Sequence, residues 1–436
     1  MLTSPSHAEH IDSYYAASRQ PQTQYPSLSE RIEVDTCIIG GGLAGIGTAL
    51  PLVKQGHSVA VLEAARIGFG ASGRNGGQAI TSYACEMEYL QEHLGLSNAQ
   101  KMWQWSIDAV NLIENQVTEY GINCDWQRGY ASVAIGNKKW DELQAYREYM
   151  RQNYGYEGYQ VWGRGELKRH LKSDRYTGGL FDTDSGHIHP LNYCLGLAQA
   201  AAQHGAQIFE QSCVTDLQPQ GKQWRVSTAQ GEVLAKHVVV ACNVFVGVLN
   251  QVPMVKKLAD KIMPVGTYVI ATEPLGERAN DTITNNMAVC DTNFVLDYYR
   301  LSGDKRMLFG GKVSYSGQPP KDLGNAMRHD MLRVFPHLAD VAIDYAWGGY
   351  VDITMNRAPH FGELAPNLLF LQGFSGHGVA LTGLAGMVTA EKILGAPERF
   401  DLFGQLKHRS FPGGPYFRTP SLVLGMGWYR LKDHFQ

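Results

Sequence analysis

Short runs of apolar residues near the start of the chain are separated by turn residues in a strand–helix–strand order. Residues 34–39 form an apolar run that predicts a β-strand, and the helical segment after it ends at Gly56. A second apolar run, residues 58–62, predicts another strand, which Glu63 follows directly. Together these segments predict one βαβ unit near the N-terminus.

Longer segments farther along the chain alternate between helix and strand patterns. Helical periodicity covers residues 87–120, 138–154 and 191–204. Strand patterns cover residues 207–217, 223–228, 237–242, 263–273, 293–301 and 306–313, and a mixed strand and helix pattern covers residues 347–395. We expect the first three of these strands to form a meander and the last three to be antiparallel. This mixture predicts a mixed α/β (α+β) fold class.

The turn after the first predicted strand has the GxGxxG spacing of a dinucleotide site. Gly40 permits a tight turn, Gly42 lets the backbone approach a pyrophosphate, and Gly45 lets the helix pack closely on the strand. Glu63 can accept hydrogen bonds from a ribose, which favours FAD or NAD over NADP. The alternative, a glycine-rich turn in an ordinary α/β protein, does not explain the position of this acid. The predicted cofactor-binding residues in this unit are Gly40, Gly42, Leu43, Ala44, Gly45, Glu63 and Ala64.

Two further glycine-rich segments predict ligand contacts. In residues 68–78, small residues allow close wrapping of a ligand, and Ser72, Arg74 and Asn75 can donate hydrogen bonds to it. Residues 373–382 open another helix, whose N-terminus can stabilise negative charge. The alternative for the first segment is a flexible surface turn. The predicted binding residues are Gly70, Ala71, Ser72, Arg74, Asn75, Gly76, Gly77 and Gln78, then Gly376, His377, Gly378 and Val379.

Composition and charge exclude several classes of function. Hydrophobic residues make up 44% of the 436 residues and charged ones 18%, which allows a large core. Lysine plus arginine (38) nearly balances aspartate plus glutamate (41), and this gives no electrostatic footprint for nucleic acid or an anionic membrane. We expect no secretory signal and no membrane span. The seven cysteines have no metal-binding spacing, and a cytoplasmic protein is the simplest interpretation.

The positions of the glycine-rich segments predict how the domains are arranged. Because one lies near the start of the chain and another near its end, we expect a discontinuous cofactor domain with a substrate domain inserted between its pieces. The predicted parts are an N-terminal arm (1–32), a cofactor domain (33–90, 173–250 and 345–396), a substrate domain (91–172 and 251–344) and a C-terminal tail (397–436).

Segments spread over nearly the whole chain carry a family resemblance. They are residues 13–18, 40–45, 62–64, 67–78, 238–243, 347–349, 356–359, 373–379, 411–414 and 425–429. On these residues the chain resembles the FAD-dependent oxidoreductases of the D-amino acid oxidase, glycine oxidase and sarcosine oxidase superfamily. Within it, the chain is most similar to the gamma-glutamylputrescine oxidoreductase group.

The resemblance implies a Rossmann-like FAD-binding domain and an antiparallel-sheet substrate domain, with the flavin at their junction. It also implies that the backbone of Val214 meets the adenine end of FAD. Some relatives attach flavin to a late cysteine, but no cysteine follows Cys290 here. Others use a histidine after the second strand, where this chain has Arg74 and Asn75, so we expect non-covalent FAD. Residues 306–310 lack the strand lysine with which some relatives promote reaction with oxygen, which leaves oxygen or another electron acceptor open.

The activity implied is oxidation of an amine to an imine, which hydrolyses to an aldehyde. The substrate expected is gamma-glutamylputrescine or a similar acylated polyamine. Two alternatives stay open: a glycine-, sarcosine- or D-amino-acid-type oxidase, and a non-catalytic flavoprotein subunit. Because hydride leaves from a neutral amine, the pocket is expected to have aromatic walls that disfavour the ammonium form.

Candidate catalytic residues lie on the inserted strands and near the third glycine segment. Tyr268, Tyr298 and Tyr299 are candidate aromatic walls, and strand alternation puts Tyr298 and Arg300 on one face and Tyr299 on the other. Arg300 and Arg357 are alternative ligands for a substrate carboxylate. His377 either lines the pocket or only packs, and a pocket-facing imidazole could also transfer a proton. The predicted catalytic residues are His377, Tyr298, Arg300 and Arg357, and the pair His187 and His189 lacks the partner ligands that a metal needs.

Overall fold

The computed structural model describes residues 8–249, 253–293, 295–314 and 320–412, and it contains two β-sheets with helices packed on them. The strands are β1 (Arg31–Ile39), β2 (Val59–Leu62), β3 (Gln78–Ala79), β4 (Gln127–Ala134), β5 (Tyr159–Gly163), β6 (Gly178–His187), β7 (Gln207–Phe209), β8 (Asp216–Gln220), β9 (Gln223–Ser227), β10 (Glu232–Val240), β11 (Met263–Pro274), β12 (Ala288–Asp291), β13 (Tyr298–Leu301), β14 (Arg306–Ser314), β15 (Ile343–Ile353), β16 (His360–Ala365) and β17 (Leu368–Gln372). The α-helices are α1 (Tyr14–Ala17), α2 (Leu43–Lys54), α3 (Met87–Leu94), α4 (Leu96–Tyr120), α5 (Gly136–Tyr154), α6 (Arg164–His170), α7 (Pro190–Gln203), α8 (Pro253–Ala259), α9 (Leu323–Val334), α10 (Gly378–Ile393) and α11 (Glu398–Gly404).

The first sheet, which we call the cofactor sheet, has the strand order β16-β17-β10-β1-β2-β7. Its strands from β17 to β7 are parallel, and β8 and β9 extend it as an antiparallel meander from β10. Helix α2 packs against α7 and α10. A Cβ at Gly386 in α10 would lie 2.3 Å from the carbonyl carbon of Gly47 in α2, so glycine allows these helices to touch. The carboxyl ends of β1, β2 and β10 therefore meet at one edge, where parallel sheets bind ligands.

The second sheet, which we call the substrate sheet, has the order β15-β11-β14-β13-β12-β4-β6-β3, with β5 paired to β6. Its strands are antiparallel except for the parallel pair β12 and β4. Helix α9 packs on β11, β14 and β15, and an apolar core fills the space between them. The fold class predicted from the sequence, with a Rossmann-like part and an antiparallel part, is confirmed.

Two predicted elements are divided in the structure. The strand expected over residues 207–217 is instead β7, which pairs with β2, and β8, which begins the meander. Between them Gln211 has a left-handed φ of 51°, and its N–H donates to the carbonyl of Ala65 in a loop. The helix expected over residues 87–120 is α3 and α4, because Gly95 between them has a φ of 80°.

Three strands of the substrate sheet come from segments that we expected in the cofactor domain. They are β3, β6 and most of β15, whereas β1, β2, β7 to β10, β16 and β17 form the cofactor sheet. The sequence alone did not show which of the two sheets these three strands join. The division of the chain into domains stays a prediction. Most of the expected tail, including the motif residues 413–414 and 425–429, lies outside the described residues.

The length and polarity of the helices determine whether any of them could cross a membrane. Among the described residues, no single helix is long and apolar enough to cross a membrane. Helices α10 and α11 meet the length and composition only as a pair, and they are bent by 116°. Helix α10 is mostly buried against α2 and α4, as the core helix of a folded domain is.

Candidate active site

A cavity opens at the carboxyl ends of β1, β2 and β10, and we call it the cofactor cavity. Predicted binding residues from three separate segments line it: Gly40, Gly42, Ala44, Glu63, Ala64, Gly70, Ala71, Ser72 and Val214. Leu43 and Gly45 are outside this lining but contact it: the N–H of Leu43 donates to the Ser72 hydroxyl at 2.9 Å, and Gly45 packs against the Gly40 carbonyl. The cavity therefore brings together parts of the chain that are far apart in sequence.

The turn after β1 leaves no room for side chains. Gly40 has a φ of 116°, and a Cβ there would lie 2.5 Å from the carbonyl oxygen of Ala241. A Cβ at Gly45 would lie 1.9 Å from the carbonyl oxygen of Gly40. At Gly42 a Cβ would reach within 2.8 Å of the hydroxyl of Ser72 on the cavity wall. This geometry fits a ligand that is held against backbone N–H groups at the start of α2.

Glu63 holds this turn from the next strand. Its carboxylate accepts hydrogen bonds from the backbone N–H groups of Gly41 at 2.7 Å and Ala65 at 2.9 Å. Burial raises the pKa of this carboxyl, while those two hydrogen bonds act in the opposite direction. Since each carboxylate oxygen has a second lone pair, Glu63 can also accept from a hydroxyl of a bound ribose.

A second cavity lies beside the substrate sheet and shares Ala71 with the cofactor cavity. We call it the substrate cavity. Its lining includes the predicted residues Arg74, Asn75, Gly76, Gln78, Tyr298, Arg357, Gly376, His377 and Val379. It also includes Tyr130, Cys290, Lys312 and Tyr350, which sequence reasoning missed. These four come from four different strands, and no local pattern identifies them.

Residues 71–78 form the wall between the two cavities. The Nε of Arg74 donates to the carbonyl of Phe69 at 2.7 Å, and its guanidinium lies 4.2 Å from the centre of the Phe69 ring. Burial lowers the pKa of Arg74 to about 10. Its Nη2 is buried and has no partner among the described residues, so one strong donor is available to a ligand.

Asn75 and Gln78 serve this wall in a different way. The amide of Asn75 donates to the carbonyls of Ala71 and Ser72 and accepts from the N–H of Gly77. The amide of Gln78 donates to the carbonyl of Val289 at 2.9 Å. Their hydrogen bonds hold the loop in shape, although both residues also line the substrate cavity.

Strand β13 places Tyr298 and Arg300 on one face, as strand alternation predicted. A Cβ at Gly76 would lie 2.5 Å from the Tyr298 ring, and the Nε of Arg300 donates to the carbonyl of Gly76 at 2.8 Å. Arg300 is only 1% exposed and does not belong to the cavity lining described above. Its other hydrogen bonds go to protein oxygens, which leaves little capacity for a substrate carboxylate. The geometry therefore favours a supporting role for Arg300 over the ligand role that we expected.

Two of the expected aromatic walls lie elsewhere. Tyr268 and Tyr299 are buried in the apolar core of the substrate sheet. The Tyr299 ring stacks on Phe309 at 5.4 Å, and its hydroxyl donates to that of Tyr176 at 3.0 Å. Strand alternation correctly predicted that Tyr299 lies on the face opposite to Tyr298 and Arg300. That face packs into the apolar core and does not line the cavity.

His377 and Arg357 lie together at the other side of the substrate cavity. His377 is half-buried at the N-terminus of α10, and burial, helped by the positive charge of Arg357, lowers its pKa to about 4. The imidazole is therefore neutral near pH 7. Arg357 is exposed with a left-handed φ of 58°, and it has no ion pair among the described residues. Its guanidinium is available to an anionic group in this cavity.

Asp352 on β15 was also missed by sequence reasoning. Its carboxylate accepts a hydrogen bond from the N–H of Gly373, and its carbonyl accepts from the N–H of Ser375. Burial raises its pKa to about 7. These bonds hold the third glycine segment beside the cavity. An aspartate between apolar residues was its only signal in the sequence.

The two histidines of the HxH pair have separate structural partners. The Nε2 of His187, at the end of β6, contacts the carbonyl of Asn286 at 2.6 Å. His189 lies after the strand, and its Nδ1 accepts from the N–H of Asn192 and so caps α7. No group of three or more candidate metal ligands occurs among the described residues.

Comparison with known proteins decides the family. The family model for FAD-dependent oxidoreductases (DAO) matches residues 35–392. This chain belongs to that family. It is 44% identical over 432 residues to the "Probable oxidoreductase OrdL" of Haemophilus influenzae, with 99% of each chain covered. It is 41% identical over 426 residues to the gamma-glutamylputrescine oxidoreductase of Escherichia coli, with 98% of this chain and 99% of that one covered.

Solved structures support the fold of this FAD-dependent oxidoreductase. Glycine oxidase from Geobacillus kaustophilus matches with a TM-score of 0.72 and covers 87% of this chain and 100% of its own, at 20% identity. The cofactor is FAD, as we expected. The turn at Gly40 to Gly42, where a Cβ would meet neighbouring atoms, fits this dinucleotide, and the unpartnered donor of Arg74 lies in the wall beside the cofactor cavity. When bound, the flavin accepts the two electrons that the substrate loses.

Proposed function

We propose that this enzyme oxidises the primary amine of an acylated diamine, with gamma-glutamylputrescine as the candidate substrate. The amine carbon loses a hydride, and the resulting imine takes up water to give an aldehyde and ammonia. Oxygen or another acceptor then takes the electrons from FAD. The full-length similarity to the E. coli enzyme named above is the observation that carries this proposal.

The charged residues that line the substrate cavity support a substrate that carries a carboxylate group. Arg74, Lys312 and Arg357 line it, and no aspartate or glutamate does so among the described residues. Lys312 pairs with Asp330, so Arg74 and Arg357 are the cations with free capacity. A gamma-glutamyl group carries a carboxylate at the end opposite the reacting amine. Arg357 at the exposed side is the candidate ligand for that carboxylate.

The same lining favours the reactive form of the amine. A cavity without carboxylates gives an ammonium group no anionic partner, and burial disfavours its charge. Aromatic side chains of Tyr130, Tyr298 and Tyr350 offer apolar surface for the methylene chain. His377 lines the cavity and is neutral near pH 7, but its lowered pKa makes it a weak base, and a proton-transfer role for it stays a prediction.

An anaerobic titration of the FAD-loaded enzyme tests this function. Gamma-glutamylputrescine is expected to bleach the flavin absorption, while putrescine, glycine and sarcosine are expected to leave it oxidised. Bleaching by glycine or sarcosine alone would favour an amino-acid oxidase. Bleaching by none of them would favour a non-catalytic subunit. Non-covalent attachment of FAD and a cytoplasmic location also stay predictions; release of FAD by acid precipitation tests the first.

A further inference from the structure

The N-terminal arm contributes a helix that is anchored in the protein interior. Ser13 caps α1 by accepting from the N–H of Ala16 at 3.1 Å. The Tyr14 hydroxyl donates to Asp304 at 2.8 Å, and the Ser18 hydroxyl contacts the Nε2 of His189 at 3.1 Å. Between these anchors, Tyr15 is 0% exposed. An arm that only covered the surface would not need a fully buried tyrosine at its centre.

Tyr15 contacts two side chains of the substrate sheet. Its hydroxyl accepts a hydrogen bond from the Nη2 of Arg300 at 3.0 Å. Its ring meets the Trp347 ring edge-to-face, with 5.3 Å between the ring centres. Arg300 lies on β13 and Trp347 on β15, so Tyr15 links two strands that are not neighbours.

Both partners of Tyr15 hold the same active-site loop, residues 74–77. The Nε1 of Trp347 donates to the carbonyl of Arg74 at 3.0 Å. The Nε of Arg300 donates to the carbonyl of Gly76 at 2.8 Å. This loop lines the substrate cavity, and its Arg74 carries the unpartnered donor described above. The contacts form one chain from the arm to the wall between the two cavities.

We propose that Tyr15 is a positioning residue that fixes loop 74–77 through Arg300 and Trp347. Arg300 donates to the carbonyls of Gly76, Ile188 and Leu301 as well. The Tyr15 hydroxyl is its one side-chain acceptor among the described residues. Without that hydroxyl, a buried guanidinium N–H lacks a partner, and Arg300 turns towards other acceptors. Gly76 moves with it, because the Arg300 Nε holds its carbonyl.

The substitution Tyr15→Phe tests this, and Tyr14→Phe is the matched control. Each removes the hydroxyl of one of two adjacent tyrosines in α1, and each breaks one hydrogen bond, to Asp304 between β13 and β14 for Tyr14 and to Arg300 on β13 for Tyr15. Of these two hydrogen bonds, only the one between Tyr15 and Arg300 leads to loop 74–77. Titration of the flavin-free proteins with FAD is expected to give a dissociation constant about tenfold higher for Tyr15→Phe. The absorption bands of its bound flavin are expected to shift. Tyr14→Phe is expected to match the wild type in both.

A second variant keeps the test independent of the stability of the arm. Trp347→Phe retains an aromatic ring for Tyr15 but loses the hydrogen bond to the carbonyl of Arg74. It is expected to weaken FAD binding in the same direction. Equal effects of Tyr14→Phe and Tyr15→Phe would overturn the proposal, as would wild-type FAD binding and a wild-type flavin spectrum in Tyr15→Phe. The titrations need no substrate, so their outcome is separate from that of the proposed function.

Discussion

Replacing Arg357 by glutamine tests whether the substrate cavity recognises the carboxylate group of the substrate. Arg357 lines this cavity, is exposed, and has no ion pair among the described residues. Glutamine keeps polar contacts but removes the charge that would hold the gamma-glutamyl carboxylate. The pKa of His377 is expected to rise from its low value, because the charge of Arg357 contributes to lowering it.

The size of the effect follows from the exposure of Arg357. A charge-assisted hydrogen bond contributes about 1.5–3 kcal/mol when it is desolvated, whereas an exposed ion pair contributes about 0–1 kcal/mol. We expect the contribution of Arg357 to lie between these two values, because Arg357 is exposed but lines a cavity that a bound substrate would close. We expect a loss of about 1–2 kcal/mol, which is about 5- to 30-fold in kcat/KM.

The assay compares gamma-glutamylputrescine with N-acetylputrescine, which has the same diamine but no carboxylate. Arg357→Gln is expected to lower kcat/KM for the first and to leave it nearly unchanged for the second. Arg225→Gln is the matched control, since Arg225 is exposed on β9 and lies outside both cavity linings. Equal losses for both substrates, or no loss for either, would refute a carboxylate contact at Arg357.

Three further changes test the cofactor cavity and the pH dependence of stability. Gly45→Ala puts a methyl group 1.9 Å from the carbonyl of Gly40, so FAD binding and the free energy of unfolding are expected to fall, the latter by at least about 1–3 kcal/mol in urea unfolding. Glu63→Gln leaves one acceptor where two carboxylate oxygens now accept backbone N–H groups, and FAD titration is expected to show weaker binding. Burial lowers the pKa of His187 to about 3, so the unfolded chain binds a proton that the folded protein does not as the pH falls below about 6.5. The contribution of His187 to the free energy of unfolding is therefore lost with acidification, by up to about 1.4 kcal/mol per pH unit. In His187→Asn the urea midpoint is expected to fall less steeply as the pH is lowered from about 6.5 to about 4.

The cofactor cavity could be predicted from sequence because its chemistry is local. Gly40, Gly42 and Gly45 act within one turn, and Glu63 follows on the next strand at a spacing that the βαβ unit fixes. Backbone conformation and close approach are properties of a residue and its near neighbours. For this reason a short motif was enough to predict the cavity wall.

The substrate cavity could be predicted only in part, because its walls depend on pairings between distant strands. Strand alternation showed that Tyr298 and Arg300 share a face. It could not show that the guanidinium of Arg300 donates a hydrogen bond to Gly76, which is 224 residues away in sequence. Tyr130 and Tyr350 lie on β4 and β15, and sheet topology alone brings them into this cavity. Local patterns carry no information on such contacts.

We expect one FAD to occupy the cofactor cavity and to reach the substrate cavity with its reacting ring. Titration of the flavin-free protein with FAD, followed by addition of gamma-glutamylbutylamide, tests it most directly, since this ligand has the carboxylate and chain of the substrate but no reacting amine. We predict binding of one FAD per chain and a saturable change in its visible spectrum with the ligand, without bleaching. Failure to bind FAD, or a flavin spectrum that stays unchanged when the ligand is bound to saturation, would show that the flavin ring does not reach the substrate cavity.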